Sequence, residues 1–194
     1  MRLLVVGEVL PWPEAGGMPI RLANVLRGLA RLGAIDLWLF PGTDHWEEPV
    51  VPPDVPIRRV EVVPRPPGAF SPGRRLAWWL AGRQPAHFVG RDYRAVQARF
   101  ARWVDRYDVA WFSTLKPYVP FHHLVEAPAI LDYDDLEDRK ALERLRLGPL
   151  HHRAGWLAGP RRAVARFQAW REAQAWRRLQ LAAAQAAAAV VVCS

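Results

Sequence analysis

The first apolar run, Leu3-Leu4-Val5-Val6, closes on Gly7 and reads as a buried parallel strand. A loop over 8–17 comes next, with Pro11, Pro13 and the pair Gly16-Gly17. Pro19 suits a first helical turn. Leu22, Val25, Leu26 and Leu29 recur at i, i+3, i+4 and i+7, so the spacing predicts an amphipathic helix over 19–32 that stops at Gly33. A second strand over 35–40 completes a βαβ unit, whose crossover should be right-handed. Further strands are predicted over 57–63, 109–113, 129–133 and 190–193. Further helices are predicted over 74–81, from an Asp92 cap to Trp103, over 136–147 and over 161–185. Residues 41–56, 64–73 and 148–160 read as loops, and no internal repeat is present. Strands alternating with helices predict an α/β fold: a Rossmann-like open, mostly parallel sheet flanked by helices, with 1–194 as one domain. In such sheets ligands sit outside the carboxyl ends of the strands. Those ends are the loops after Val6, Phe40, Val63, Ser113 and Tyr133.

Composition narrows the class. Of 194 residues, 51% are hydrophobic and 24% charged, which excludes a disordered, collagenous or disulfide-stapled chain. The lone Cys193 can form no internal disulfide, so a reducing, cytoplasmic compartment is expected. No run approaches the length of an apolar membrane span. The net charge of +8 is uneven: residues 139–178 hold 11 cations against Glu143 and Glu172, a net +9, while the rest nets −1. Such a block points to phosphate, nucleic acid or an anionic membrane surface. The heavy use of Arg, Ala and Pro fits a compositional bias equally well. Within the basic helix over 161–185, Phe167, Trp170, Trp176 and Leu179 fall on different sides at about 100° per residue. The expectation is therefore a packed helix with snorkelling arginines, part of whose Arg surface meets phosphates or lipid headgroups. No RNP, KH or helix-turn-helix signature supports a nucleic-acid partner.

Three sets of residues could carry chemistry. Gly16 and Gly17 precede a helix N-terminus, where backbone N–H groups and the helix dipole favour a phosphate, and Arg21 lies one turn in. Neither a dinucleotide fingerprint nor a Walker loop is present, so a tight turn into a helix accounts for the pair as well. Five carboxylates crowd Asp132–Asp138 at the end of the fifth strand. Crowding of this kind prepares a general base, a hydroxyl-binding site or a divalent-metal site. Asp135, Glu137 and Asp138 also suit a helix N-terminus, which leaves Asp132 and Asp134 as the functional candidates. The third set is the loop 113–118, with Ser113, Lys116 and, close behind, His122 and His123. Either histidine could act as a base or hydrogen-bond a sugar. No Cys/His spacing matches a structural zinc site.

The opening Met1–Gly7, its Pro-rich loop and the run from Gly16-Gly17-Met18-Pro19 to Gly33 resemble the start of family-4 retaining glycosyltransferases of the two-domain GT-B fold. The Asp132–Glu137 run resembles the acidic segment after the fifth strand in a bacterial subset. Glu172, the Ala-rich stretch and Val190–Ser194 resemble that family's last N-domain helix and strand. The resemblance implies an acceptor-side domain of an enzyme that moves a sugar from a nucleotide-sugar to a hydroxyl acceptor, such as a lipid-linked or cell-surface glycan. The +9 block over 139–178 is the reason to expect that acceptor at the inner face of the membrane. For the site residues the family likeness is again the guide. The resemblance implies Gly16, Gly17 and Arg21 facing the donor diphosphate, Lys116 and Asp132 on the acceptor, and Asp134 and His122 in catalysis. No metal or cofactor is implied, the nucleotide-sugar being a co-substrate. Two departures stand out. Gly33 is followed by Ala34 rather than His, and the donor-binding C-terminal domain is expected to be missing, which leaves a chain inactive alone or completed by a partner subunit. The alternative is a non-catalytic α/β binding module or split-enzyme subunit. An oxidoreductase is disfavoured by the missing glycine fingerprint.

Overall fold

A computed structural model describes residues 1–42, 51–68, 71, 73, 76, 78, 80, 82–133, 136–147 and 158–192. Strands β1 (Arg2–Gly7), β2 (Ala34–Leu39), β3 (Ile57–Val62), β4 (Val109–Phe112), β5 (Ala129–Tyr133) and β6 (Ala189–Val192) form one sheet in the order β3-β2-β1-β4-β5-β6. Every pairing is parallel. The α/β, Rossmann-like open sheet is thus present, and its strand order reverses between β1 and β4, where such sheets form their ligand crevice. The helices are α1 (Gly17–Ala30), α2 (Ala86–Val89), α3 (Arg94–Trp103), α4 (Leu115–Phe121), α5 (Glu137–Leu147) and α6 (Ala158–Ala186). Among the described residues no helix is long and apolar enough to cross a membrane.

The described chain forms two compact units. The first, Met1–Pro66, Asp92–Asp134 and Ala183–Ser194, holds the sheet; the second, Pro67–Arg91 and Asp135–Ala182, is helical. In the sheet unit, successive side chains of β2 point to opposite faces. Ile35, Leu37 and Leu39 join Leu3, Val5, Leu22 and Leu26 on the α1 side. Trp38 packs on the other side, edge-on against Phe100 of α3 at 5.0 Å and Phe121 of α4 at 6.1 Å. β1 and β2 are largely apolar, with Asp36 as the buried exception, because both of their faces are covered.

Several expected boundaries move. Helix α1 starts two residues earlier than its periodicity implies, at Gly17, so Pro19 stands at the third position. Asp92 lies one residue before the α3 cap, which is Tyr93, although its Oδ1 does accept the Arg94 amide at 3.1 Å. The expected loop 113–118 is mostly helix α4. Thr114 is extended at its cap and Pro117 falls in the first turn, where a missing N–H costs nothing. Pro120 removes an interior bond, and α4 passes at once into a 3-10 turn, His122–Leu124. Glu137 and Asp138 occupy the first turn of α5, as a helix N-terminus favours. Asp134, Cys193 and most of the expected helix 74–81 lie outside the described residues.

Candidate functional site

The carboxyl edge of the sheet is built from the residues just past the ends of β1, β3, β4 and β5. Glu8, directly after β1, is only 6% exposed. Its carboxylate accepts from Arg65 Nη2 at 2.9 Å and from Thr114 Oγ1 at 3.1 Å, and Lys116 Nζ stands 3.5 Å away. Three strand ends therefore converge on one buried anion that faces two cations. Arg65 also lies over the Phe40 ring, 5.6 Å from its centroid, which fixes the guanidinium plane. Glu8→Gln keeps the shape but removes the charge from these bonds. It is expected to cost about 1–2 kcal/mol, read as a lower midpoint in urea.

Beside this cluster, Arg21 on the first turns of α1 forms an ion pair with Asp132 on β5, its Nε donating to Oδ2 at 3.2 Å and its Nη2 bonding Oδ1. Asp132 is 1% exposed. The two residues were expected to serve separately, one toward a diphosphate and the other toward an acceptor. The structure brings them together as a pair. Met18, Arg21, Ser113 and Asp132 line a cleft of about 10 Å³, room for no more than one water. Ser113 Oγ is buried there with no hydrogen-bond partner. It is one of several buried side-chain polar atoms among the described residues that lack a protein partner, and the cleft beside it has the room for a water that would satisfy it.

Met18, in the first turn of α1, lines the cleft, and the glycine pair precedes it in the chain. Gly16 has φ of +90°, a conformation that only glycine takes without strain. At Gly17 a Cβ would meet nothing within 4 Å, so glycine is not demanded there by packing. No side chain caps the helix, and its first turn holds no acid. The N-terminal amides and the positive end of the helix dipole are thus left for an anion.

No protein-family model matches this chain, and no curated protein matches it significantly. The geometry must therefore stand by itself.

It gathers Gly16, Gly17, Arg21, Lys116 and Asp132 at the carboxyl edge. His122 is placed elsewhere. It comes after the seven-residue α4, about 10 Å down the helix axis from the strand tips at 1.5 Å per residue. There its Nδ1 contacts the Tyr118 carbonyl at 2.9 Å and its ring stacks on Tyr118 at 4.3 Å. Asp134 falls on residues the structure does not describe. Burial pushes the Tyr133 hydroxyl up to about 12, with Tyr118 adding to the shift, so both rings contribute neutral hydroxyls to the β4–β5 end. Glu8, Arg65 and Thr114 were missed by sequence reading. The signal available was their position, each being a polar residue within three positions of the end of a strand in a parallel sheet.

Proposed function

We propose that the carboxyl edge of this sheet is the acceptor-side wall of a nucleotide-sugar-dependent glycosyltransferase of the GT-B type. The observation that carries the reading is the uncapped, acid-free start of α1 behind the positive-φ Gly16, at the carboxyl edge of a sheet whose strand order reverses between β1 and β4. A diphosphate laid over Gly16 and Gly17 takes amide hydrogen bonds there and the favourable end of the helix dipole. Arg21, oriented by its ion pair with Asp132, offers guanidinium N–H donors one turn into the helix. Lys116, oriented by Glu8, faces the acceptor, a hydroxyl of a lipid-linked or cell-surface glycan. Asp132 is committed to Arg21 and orients that group rather than abstracting a proton. In the family that the sequence resembles, base and ribose are gripped by a second α/β domain, so this wall contributes contacts to the diphosphate and leaves nucleotide selectivity to other residues.

The test is calorimetric titration of the chain with uridine and guanosine diphosphate-sugars, each repeated in excess inorganic pyrophosphate. The expected result is binding of the sugar nucleotides, little choice between bases, and displacement by pyrophosphate. Binding that pyrophosphate leaves untouched, or no binding of either, contradicts the reading.

A further inference from the structure

The helical unit carries a surface that sugar transfer does not use. Its segments contain 15 arginines and lysines against five acids, a net +10, whereas the sheet unit holds 12 against 14, a net −2. Helix α6 divides its side chains between two faces. Inward, Trp176 packs against Phe88 at 5.7 Å, and both Glu172 carboxylate oxygens accept the Ala86 amide, at 3.0 and 3.2 Å. Outward, Phe167 is 44% exposed and Trp170 49%, the two rings stacked at 6.0 Å. Arg166, Arg177 and Arg178 are exposed on the same helix, with Leu181 at 57%. Phe167, Trp170, Gln174, Arg177 and Leu181 follow the i, i+3, i+4 rule and share one stripe, which Arg166 and Arg178 flank. The aromatic surface continues past the helix: Arg171 lies 5.9 Å from the ring centroids of both Phe167 and Trp78, and donates to the Gly82 carbonyl at 3.3 Å. Leu76 and Leu80, four residues apart, are 59% and 72% exposed.

We infer that this face seats on an anionic lipid bilayer, with Phe167 and Trp170 entering the interfacial layer while the arginines around them meet the headgroup phosphates. Each part matches that occupant. Tryptophan favours the headgroup level, where its ring is half apolar and half polar. Arginine stems lie along apolar surface and keep the guanidinium in the polar layer. A net +10 is complementary to the negative surface potential of an acidic leaflet. The stripe mixes apolar and cationic side chains rather than segregating them, which suits shallow seating rather than a deeply embedded amphipathic helix. The exposed leucines favour lipid over single-stranded RNA, which would need flat stacking partners instead.

The 194-residue chain is to be sedimented with vesicles of phosphatidylcholine mixed with phosphatidylglycerol, and with pure phosphatidylcholine as the reference. Binding is expected to the mixed vesicles and to be much weaker on the reference. Phe167→Ser with Trp170→Ser is expected to lower partitioning about 30-fold at every salt concentration. Arg166→Gln, Arg177→Gln and Arg178→Gln are each expected to lower it about fivefold, an effect that fades in high salt. All five side chains are exposed, so thermal midpoints should hold. Quenching of wild-type fluorescence by brominated lipid, reduced in Trp170→Phe, reads the insertion without a disruptive change. Unchanged partitioning of the double serine variant overturns the inference. So does retention by polyuridine with no vesicle binding, or a dimer that the serine variant dissociates while vesicles are ignored. Vesicle and pyrophosphate binding report on different units, so either can fail without the other.

Discussion

Asp36→Ala is expected to destabilise the sheet unit by about 2–3 kcal/mol, the cost of removing a buried carboxylate that accepts several charge-assisted bonds from part-exposed arginines. Asp36 is the one charged residue of β1 and β2 that is 1% exposed. Its carboxylate accepts from Arg58 Nε and Tyr107 Oη at 2.7 Å each, and from Arg59 Nε at 2.8 Å. Arg59 in turn donates to the Trp103 carbonyl at 2.8 Å and lies 4.1 Å over the Trp103 ring. The network ties β2 and β3 to the segment just after α3. Alanine leaves Arg59 Nε and the Tyr107 hydroxyl without their shared acceptor, whereas Tyr107→Phe removes two bonds, its own to Asp36 and the one it accepts from Arg59 Nη2, and should cost about 1–2 kcal/mol.

The same network sets a pH window. Burial pushes the Asp36 carboxyl up, but the bonds from Arg58, Tyr107 and Arg59 outweigh it and hold the carboxyl below its ordinary value. A depressed folded value means that its stabilisation is complete above about pH 4 and is lost as the pH falls through that value. Tyr107 runs the other way. Burial first, and the bond to Asp36 second, push its hydroxyl up to about 12. Its contribution is complete below about pH 10 and disappears as the pH rises through about 12. Urea midpoints measured across this range should fall at both ends in the wild type. In Asp36→Ala the acid limb should flatten, while the alkaline limb, set first by the burial of Tyr107, should only shrink; a wild-type-like acid limb in the variant would assign it to another group.

The fold was legible where apolar runs are short and bounded, as in β1, and where apolar spacing is helical, as in α1. What stayed hidden was the pairing of charges. Arg21 and Asp132 are 111 residues apart, and Arg65 and Glu8 are 57 apart. Each charged residue taken singly fits a surface or a ligand, and only the strand order shows that they neutralise one another. The proline-bearing helix α4 was hidden because the propensity of Pro117 and Pro120 argues against it, while packing of Tyr118 and Phe121 into the core overrides that preference. For α6, periodicity taken over the whole segment mixed the buried Trp176 with the exposed Phe167 and Trp170. Partners from the residues 67–91 decide which aromatic turns inward, and no local pattern encodes them.

The anion site proposed at the start of α1 is tested most directly by Gly17→Asp. A side chain there enters open space, so nothing is displaced. A carboxylate in the first turn complements the helix dipole and is worth about 0.5 kcal/mol to the folded state. The same carboxylate occupies the amides that a diphosphate needs and repels it, a penalty of about 100-fold in affinity. The measurement is a pyrophosphate titration of wild type and variant, with thermal unfolding of both. The expected result is an unchanged or raised midpoint together with lost pyrophosphate binding. A variant that binds pyrophosphate as well as the wild type does would show that the glycine pair is a turn and nothing more.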